Sequence, residues 1–460
     1  MIEVIEALIQ ATSEDRVTTN ETILAQHGKD EAYSEPRNPD VVVFPVTSEE
    51  VSAIIEVANE FQVPVVPFGL GTSLEGHVIP YHGGISLDFS SMNQHIEVKP
   101  DDFLVTVDPG VTRSQLNKKL KPYGLFFSVD PGADATLGGM AATNASGTTS
   151  VKYGVMKDQV RSLEVVLPNG KIIQTGTHAA KSSSGYHLSS LFVGSEGTLG
   201  CITKLTLQVY GIPETIVAAR VSFKHLNQAV DAVIQLLSAG IELARVELVD
   251  EASIKQVNES SDKNFKEAPT LFIEFHGNEA SVQHDISFAE ELLADADGMD
   301  IEFEKDVKGR NELWEARHNL AYSFVHGHPG KKMMVTDVCL PISQLAIGIQ
   351  HAREQMDALS LDGALLGHVG DGNFHALLMI DSDNVEEKRK ADLFNEAIVH
   401  HALQRGGTCT GEHGVGVGKI KYQQLEHGDS LEVMHQIKQV LDPNQIMNPG
   451  KIFDRVEGAE

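Results

Sequence analysis

The forty glycines of this 460-residue chain gather in a few short runs, and those runs constrain the fold more than any other feature. Glycine loses much conformational entropy on folding and returns no side-chain packing, so a cluster marks backbone that turns tightly or approaches something closely. The first run, Pro67-Phe-Gly-Leu-Gly-Thr-Ser-Leu-Glu-Gly76, follows the strand-like Val63–Val66. A loop of exposed N–H groups there suits an anion, although a plain tight turn explains it equally well. Leu74 stands where the nicotinamide fingerprint needs its third glycine, and no Gly-Lys-Ser/Thr follows as a P-loop requires. The second run, Asp130-Pro-Gly-Ala-Asp-Ala-Thr-Leu-Gly-Gly-Met-Ala-Ala-Thr-Asn-Ala-Ser-Gly147, holds almost nothing large. That suits backbone pressed against a planar ligand and its phosphates. The third, Gly194-Ser-Glu-Gly-Thr-Leu-Gly200, leads into a strand at Ile202. Three such runs in one domain favour a large cofactor.

The patterning around the runs predicts an α+β chain. Pro39–Pro45 reads as a buried strand, Thr47 and Glu50 as a capping box, and Val51, Ile54, Ile55 and Ala58 as one helical face. With Val63–Val66 this makes a β-α-β opening. Strands follow at Gly84–Phe89 and Leu104–Val107, a capped helix begins at Thr112-x-x-Gln115, and Pro168-Asn-Gly170 reads as a hairpin turn. After the strand Ile202–Tyr210, the breaker Gly211-Ile-Pro213 is the expected domain boundary. Strands and helices then alternate to about residue 405, and a helix over 431–441 stops at Asp442-Pro443. The expected organisation is an N-terminal helical segment (1–38), a first domain (39–213), a second domain (214–430) and a C-terminal segment (431–460) that returns to the first.

Composition removes several function classes. Lysine plus arginine number 36 against 65 acids, a net charge of −29, which argues against nucleic-acid partners and adhesion to an anionic bilayer. No apolar stretch reaches the length of a membrane span, and Glu3 with no basic region beside it gives no targeting signal. Three scattered cysteines, Cys201, Cys339 and Cys409, suggest no disulfide framework. The expected location is the cytoplasm, or its membrane periphery.

The chemistry-bearing residues lie in the second half. Ala364–His368 and Phe374–Ile380 look like strands, and an Asp371-Gly372 turn between them would set His368 opposite His375. Directly opposed residues share a face about 5 Å apart, so the two imidazoles either chelate a cation or form a cross-strand pair. The glycine loop Gly406–Gly418 carries Glu412 and His413 and is costly to order without a partner. Two histidines and a carboxylate form a catalytic type of site for zinc or manganese with an open position. Cys409 nearby reads as a small buried residue. In a helix Arg317 would share a face with Trp314, the only tryptophan, and could grip a carboxylate. Leu366 and Leu377 would form an apolar wall beside His375, suited to a short methyl-bearing acid.

In this order the glycine runs, together with Gly367-His-Val-Gly-Asp-Gly-Asn-Phe-His375, resemble the FAD-dependent D-2-hydroxy-acid dehydrogenases of the vanillyl-alcohol-oxidase (PCMH-type) flavoprotein fold. The resemblance runs from about Pro39 to Phe453. It is strongest to the cytochrome- or quinone-linked D-lactate dehydrogenases, with glycolate oxidase subunits nearby. It implies a two-subdomain PCMH-type FAD-binding domain, an α+β (ferredoxin-like) substrate or cap domain and a C-terminal helical segment. It implies that Pro67, Gly69, Gly71, Thr72, Ser73 and Gly76 serve the FAD pyrophosphate. Pro131, Gly132, Ala133, Gly138, Gly139, Ala142, Asn144 and Gly147 would lie along flavin and phosphates. Gly154, Glu196, Gly200 and Ile202 would surround adenine and ribose, with His77 and Asn448 also in the cofactor set. His368, His375 and Glu412 match the family's metal ligands and His413 its general base. Arg317 matches its substrate arginine, and Lys332, with Lys331 as substitute, a second carboxylate-binding cation. The implied activity is oxidation of a D-2-hydroxy acid, D-lactate foremost, with glycolate or D-2-hydroxyglutarate as alternatives. A cytochrome, quinone or electron-transfer flavoprotein would take the electrons, and a homodimer is an expected assembly. A non-catalytic flavin-binding subunit or an oxygen-using oxidase would be the rival readings.

Some members of the wider fold attach FAD through a histidine, but the spacing around His77 does not match theirs. Acid precipitation of the purified protein is therefore expected to release its flavin into the supernatant, and yellow colour retained in the pellet would overturn this.

Overall fold

The computed structural model describes residues 1–31, 35–261 and 263–454. The chain forms two compact units: one of Met1–Ser146, Gly154–Ile212 and Glu412 onward, the other of Gly147–Tyr153 and Pro213–Gly411. The boundary after Ile212 falls at the expected breaker. The return does not: it begins at Glu412, earlier than the residue 431 expected from the sequence. The helix at Ser430 is only the middle of a segment already back in the first unit.

Two sheets build the first unit. Val41–Val43, Ile85–Asp88 and Val65–Phe68 run parallel, with Val17–Thr18 added antiparallel at the edge. The helix Ser48–Glu60 supplies the crossover between Val41–Val43 and Val65–Phe68, and buries Val51, Ile54, Ile55 and Ala58 as its spacing requires. Thr47 caps it by accepting the Glu50 N–H, but Glu50 is not a reciprocal box partner; its carboxylate takes the Val46 N–H at 2.8 Å and Arg16 at 2.6 Å. At Thr112 the full capping box forms. The N-terminal helix Ile2–Ala11 is not a separate segment, since Val4 and Leu8 lie in the same core as this sheet. The second sheet is antiparallel, in the order 96–99, 104–107, 201–208, 160–166, 172–176. The last two strands form the expected hairpin. Against its core pack Ile437 and Leu441 of the C-terminal helix, and Met447 then bridges to Val65 of the first sheet.

The second unit is built on one eight-stranded sheet. Its first four strands, Thr215–Ser222, Leu243–Val249, Thr270–Gly277 and Met299–Glu304, lie in the spatial order fourth, first, third, second. Helices Leu226–Ser238 and Glu279–Asp295 connect first to second and third to fourth, so this part has the ferredoxin-like arrangement. Gly363–Gly367, Asn373–Ile380 and Lys332–Val335 extend the sheet beyond Leu243–Val249.

One glycine shows how tightly the first sheet is set. Gly84 has φ +87, and a Cβ there would sit 2.2 Å from the Pro64 carbonyl oxygen, which is backbone and has no room to yield. Gly84→Ala should therefore cost at least about 2 kcal/mol. In a thermal melt that lowers the midpoint of this unit by roughly 4–8 °C; an unchanged midpoint would refute the packing argument.

Candidate active site

In the second unit, one face of the sheet carries a row of polar residues. The ladder pairs Leu248 with Gly367 and Val249 with Leu366, so its next rung sets Glu247 beside His368. Glu247 is fully buried, and each of its oxygens has a partner: Oε1 lies 2.5 Å from Nδ1 of His368 and Oε2 2.7 Å from Nη2 of Arg317. Burial alone would raise its pKa, but the adjacent His368 and Arg317 hold the carboxyl below its ordinary value. Nδ1 of His375 donates to the Thr336 carbonyl at 3.0 Å. Both imidazoles thus spend their Nδ1–H on an oxygen, and in the neutral rings the lone pair falls on Nε2, the arrangement of metal-binding histidines. Their ring centroids are 5.5 Å apart with planes at 81°. The donor set therefore fits a divalent cation.

The two histidines meet by a different register from the one expected. His375 pairs with Leu366, not His368, and the turn spans 369–372. The Asp371 N–H returns to the His368 carbonyl, and Gly372 takes φ +89 against Leu340. The shift is two residues, and because strand faces alternate with period two it leaves both histidines on one face. Leu366 and Leu377 share that face and are packed with Trp314 in an apolar cluster. Beside it Asp337, fully buried, accepts from Asn373 Nδ2 and Thr410 Oγ1 at 2.7 Å and from the Gly411 N–H at 2.8 Å.

Arg317 lies on the helix Val307–His318, one turn from Trp314, as expected. Lys332 does not fit its expected place. It is exposed and pairs with Ile380, so alternation puts it on the opposite sheet face from His375. The substitute, Lys331, donates to the Met379 carbonyl at 3.3 Å and lies 3.8 Å from Asp362.

In the first unit the three glycine runs converge. A Cβ on Gly69 would lie 2.5 Å from Thr136 Oγ1, and one on Gly197 would lie 2.8 Å from Pro67. The N–H groups of Gly194 and Glu196 donate to the carbonyls of Ala141 and Ala142 at 2.9 and 2.8 Å. Within the first run, the Gly76 N–H and the Ser73 hydroxyl are engaged by Asp30 at 2.9 and 3.0 Å. The second run has anchors after all: Leu137 and Met140 are buried on a short helix capped by Thr136. Gly139 on that helix is exposed, and a Cβ on the exposed Gly132 would meet nothing within 4 Å. That leaves small-residue backbone open to a flat ligand. Local packing explains other members of the set. A Cβ on Gly154 would strike Asp158, one on Gly200 would strike Val166, and Ile202 belongs to the core. Gly147 lies in the other unit.

Asn144, Glu196 and Asn448 all hold positive φ, +51, +53 and +40, a conformation that side chains rarely adopt and that recurs at ligand sites. Glu196 accepts the N–H groups of Val415 and Gly416 at 2.7 and 2.9 Å and lies 3.3 Å from Nε2 of buried His77. Asn448 Nδ2 donates to the carbonyls of Glu196 and His77 at 2.7 and 3.1 Å. The same return segment brings His413 and Lys419 to Glu75, at 3.9 and 3.4 Å, and Glu412 to the Ser146 hydroxyl at 2.7 Å. Lys451 is buried with its ammonium on the Ile79 carbonyl at 2.8 Å, and burial pushes its pKa down to about 8. Sequence reasoning missed Glu247, Thr336, Asp337, Glu75, Lys419 and Lys451. Only charge inside an apolar strand, as in Arg245-Val-Glu-Leu-Val249, offered a signal.

The buried His77–Glu196 pair predicts a pH dependence. Burial opposes both charges, yet each partner favours the other's: Glu196 titrates below its ordinary 4.5 and His77 above its ordinary 6.5. Glu196 stabilises fully above 4.5 and loses this as pH falls through its lowered value. His77 stabilises fully below 6.5 and loses this as pH rises through its raised value. The melting deficit of Glu196→Gln against the parent should therefore be largest between about pH 4.5 and 6.5. A deficit constant across pH would contradict the pairing.

Comparison with known proteins agrees with both units. A family model described as FAD binding domain matches residues 39–176, and one described as FAD linked oxidases, C-terminal domain, matches residues 212–452. A Danio rerio protein named probable D-lactate dehydrogenase, mitochondrial, is 44% identical over 98% of this chain and 92% of its own length. An Arabidopsis thaliana protein named D-lactate dehydrogenase [cytochrome], mitochondrial, is also 44% identical, over 96% of this chain and 78% of its own. Among solved structures, p-cresol methylhydroxylase with substrate bound superposes with a TM-score of 0.82 at 18% identity, covering 100% of this chain and 98% of the other, which is a likeness of PCMH-type fold. All three cysteines are free, and no helix among the described residues is long and apolar enough to cross a membrane. The chain belongs to the FAD-linked oxidases, in the family of FAD-dependent D-2-hydroxy-acid dehydrogenases, and is an FAD-dependent oxidoreductase.

Proposed function

We propose that the chain oxidises D-lactate to pyruvate, with FAD as first electron acceptor and with zinc or manganese held by His368, His375 and Glu412. The observation that carries this reading is the pair of imidazoles on one sheet face, each with Nδ1 on an oxygen, so that in the neutral ring the lone pair lies on Nε2. The relatives named D-lactate dehydrogenase supply the substrate class. Gly411, the residue before Glu412, donates its N–H to Asp337 beside His375, so chain connectivity supports Glu412 as the third ligand.

FAD, when bound by the glycine-run backbone of the first unit, would supply the two-electron chemistry, the acceptor for a hydride from C2 of the substrate. A bound divalent ion would make the substrate hydroxyl more acidic. His413 takes the hydroxyl proton, a role suited to an imidazole near neutral pH. Arg317 holds the substrate carboxylate with the guanidinium donors that Glu247 does not use; its Nε has no hydrogen-bond partner among the described residues. In a chain of net charge −29 such a local cation is what an anionic substrate needs. Leu366 and Leu377 offer an apolar wall for the methyl group of lactate. The electrons leave to a respiratory carrier, a cytochrome or quinone.

Anaerobic D-lactate should bleach the flavin absorption of the purified protein, with faster turnover on D-lactate than on glycolate or D-2-hydroxyglutarate. Faster turnover on the dicarboxylate would reverse the substrate ranking, and stoichiometric peroxide in air would identify an oxidase. His413→Ala should keep its flavin and lose roughly 10²–10⁴-fold in the rate of its reduction; bleaching at the parent rate would remove His413 from the mechanism.

A further inference from the structure

We infer that Glu247 is the positioning residue of this site: one buried carboxylate that sets the ring of a metal-binding histidine and the guanidinium of the substrate-binding arginine at the same time. The inference rests on the reading of His368 and Arg317 given above and adds the group that couples them.

Glu247 has no exposed surface and sits mid-strand, followed by Leu248 and Val249. A buried carboxylate is costly to desolvate, and an apolar residue of similar volume would serve a sheet core better unless the charge has a task. A simple ion pair with Arg317 would occupy one oxygen. Here the oxygens are divided, Oε1 to His368 Nδ1 and Oε2 to Arg317 Nη2. The first contact fixes which nitrogen of His368 carries the proton and which way the ring faces, and raises the basicity of Nε2 as a ligand. The second holds Arg317 from the helix Val307–His318 against the sheet. A substrate carboxylate bound by Arg317 and a cation bound by His368 would then be registered to each other through a single side chain.

Glutamine in place of Glu247 keeps the shape and offers one acceptor and one amide donor. Whichever way it is placed, one of the two N–H partners meets an N–H. Metal titration followed with a chromophoric chelator, using zinc or manganese alone, should therefore show Glu247→Gln binding 10- to 100-fold more weakly than the parent, with flavin content unchanged. Saturating metal should restore much of kcat while KM for D-lactate stays raised about tenfold, a loss of about 1.4 kcal/mol, because Arg317 is still unanchored. Equal metal affinity in parent and variant overturns the role of Glu247 and leaves the proposed function standing. A parent that binds neither metal overturns both. Should Glu247→Gln fail to fold, the histidine ¹⁵N spectrum of the metal-free parent decides. His368, assigned by its absence in His368→Asn, is expected as the Nδ1–H tautomer with a strongly hydrogen-bonded proton, and an Nε2–H tautomer overturns the inference.

Discussion

Glu196 holds a left-handed backbone conformation, is buried, and accepts two backbone N–H groups of the return segment while facing His77. Asn448 closes the arrangement from the carbonyl side. Through this one residue the third glycine run, the end of the first run and the return from Glu412 become a single structure. A carboxylate in that position would be expensive alone; with a histidine and two amides it is satisfied, and its removal would leave several buried donors without an acceptor. The glycines around it follow from the same crowding. A Cβ on Gly414 would lie 2.7 Å from both Glu196 and His77.

The second unit solves a similar problem on a sheet. Its apolar face carries Glu274, His276, Arg245, Glu247, His368 and His375, and these polar groups are partnered along the row. His276 lies 2.6 Å from Glu274 and 3.0 Å from the Tyr153 hydroxyl, and Arg245 stacks over Trp314. Buried ion pairs are weak contributors to stability. A row of them beside an apolar cluster of Leu366, Leu377 and Trp314 fixes side-chain geometry more than it adds net stability.

Helix starts and strands were legible because their signals are local. Thr112 with Gln115, the face of Val51, Ile54 and Ile55, and the breaker at Gly211-Ile-Pro213 each act within one turn or one strand. The meeting of His368 and His375 was also legible, although its register was not. An Asp-Gly pair indicates a turn near that point, but Gly372 packing against Leu340, a contact distant in sequence, decides where the turn closes. The two histidines still share a face because an error of two residues preserves it. For Lys332 the strand parity itself, read from its pairing with Ile380, runs against the expected role, and nothing in the local sequence announced that pairing.

The sequence by itself determined the α+β plan, the small-residue glycine runs and the placing of His368, His375, Glu412 and His413 in short strand and loop segments, since these depend on residue type and short spacing. Tertiary structure alone decided that Glu247, some 120 positions away, fixes His368, that Asp30 takes donors of the first run, and that the chain returns to its first unit at Glu412. Each of these is a contact between segments remote along the chain. A buried charge finds its partner through the register of a sheet or the closure of a core, and neither is written in the few residues on either side of it.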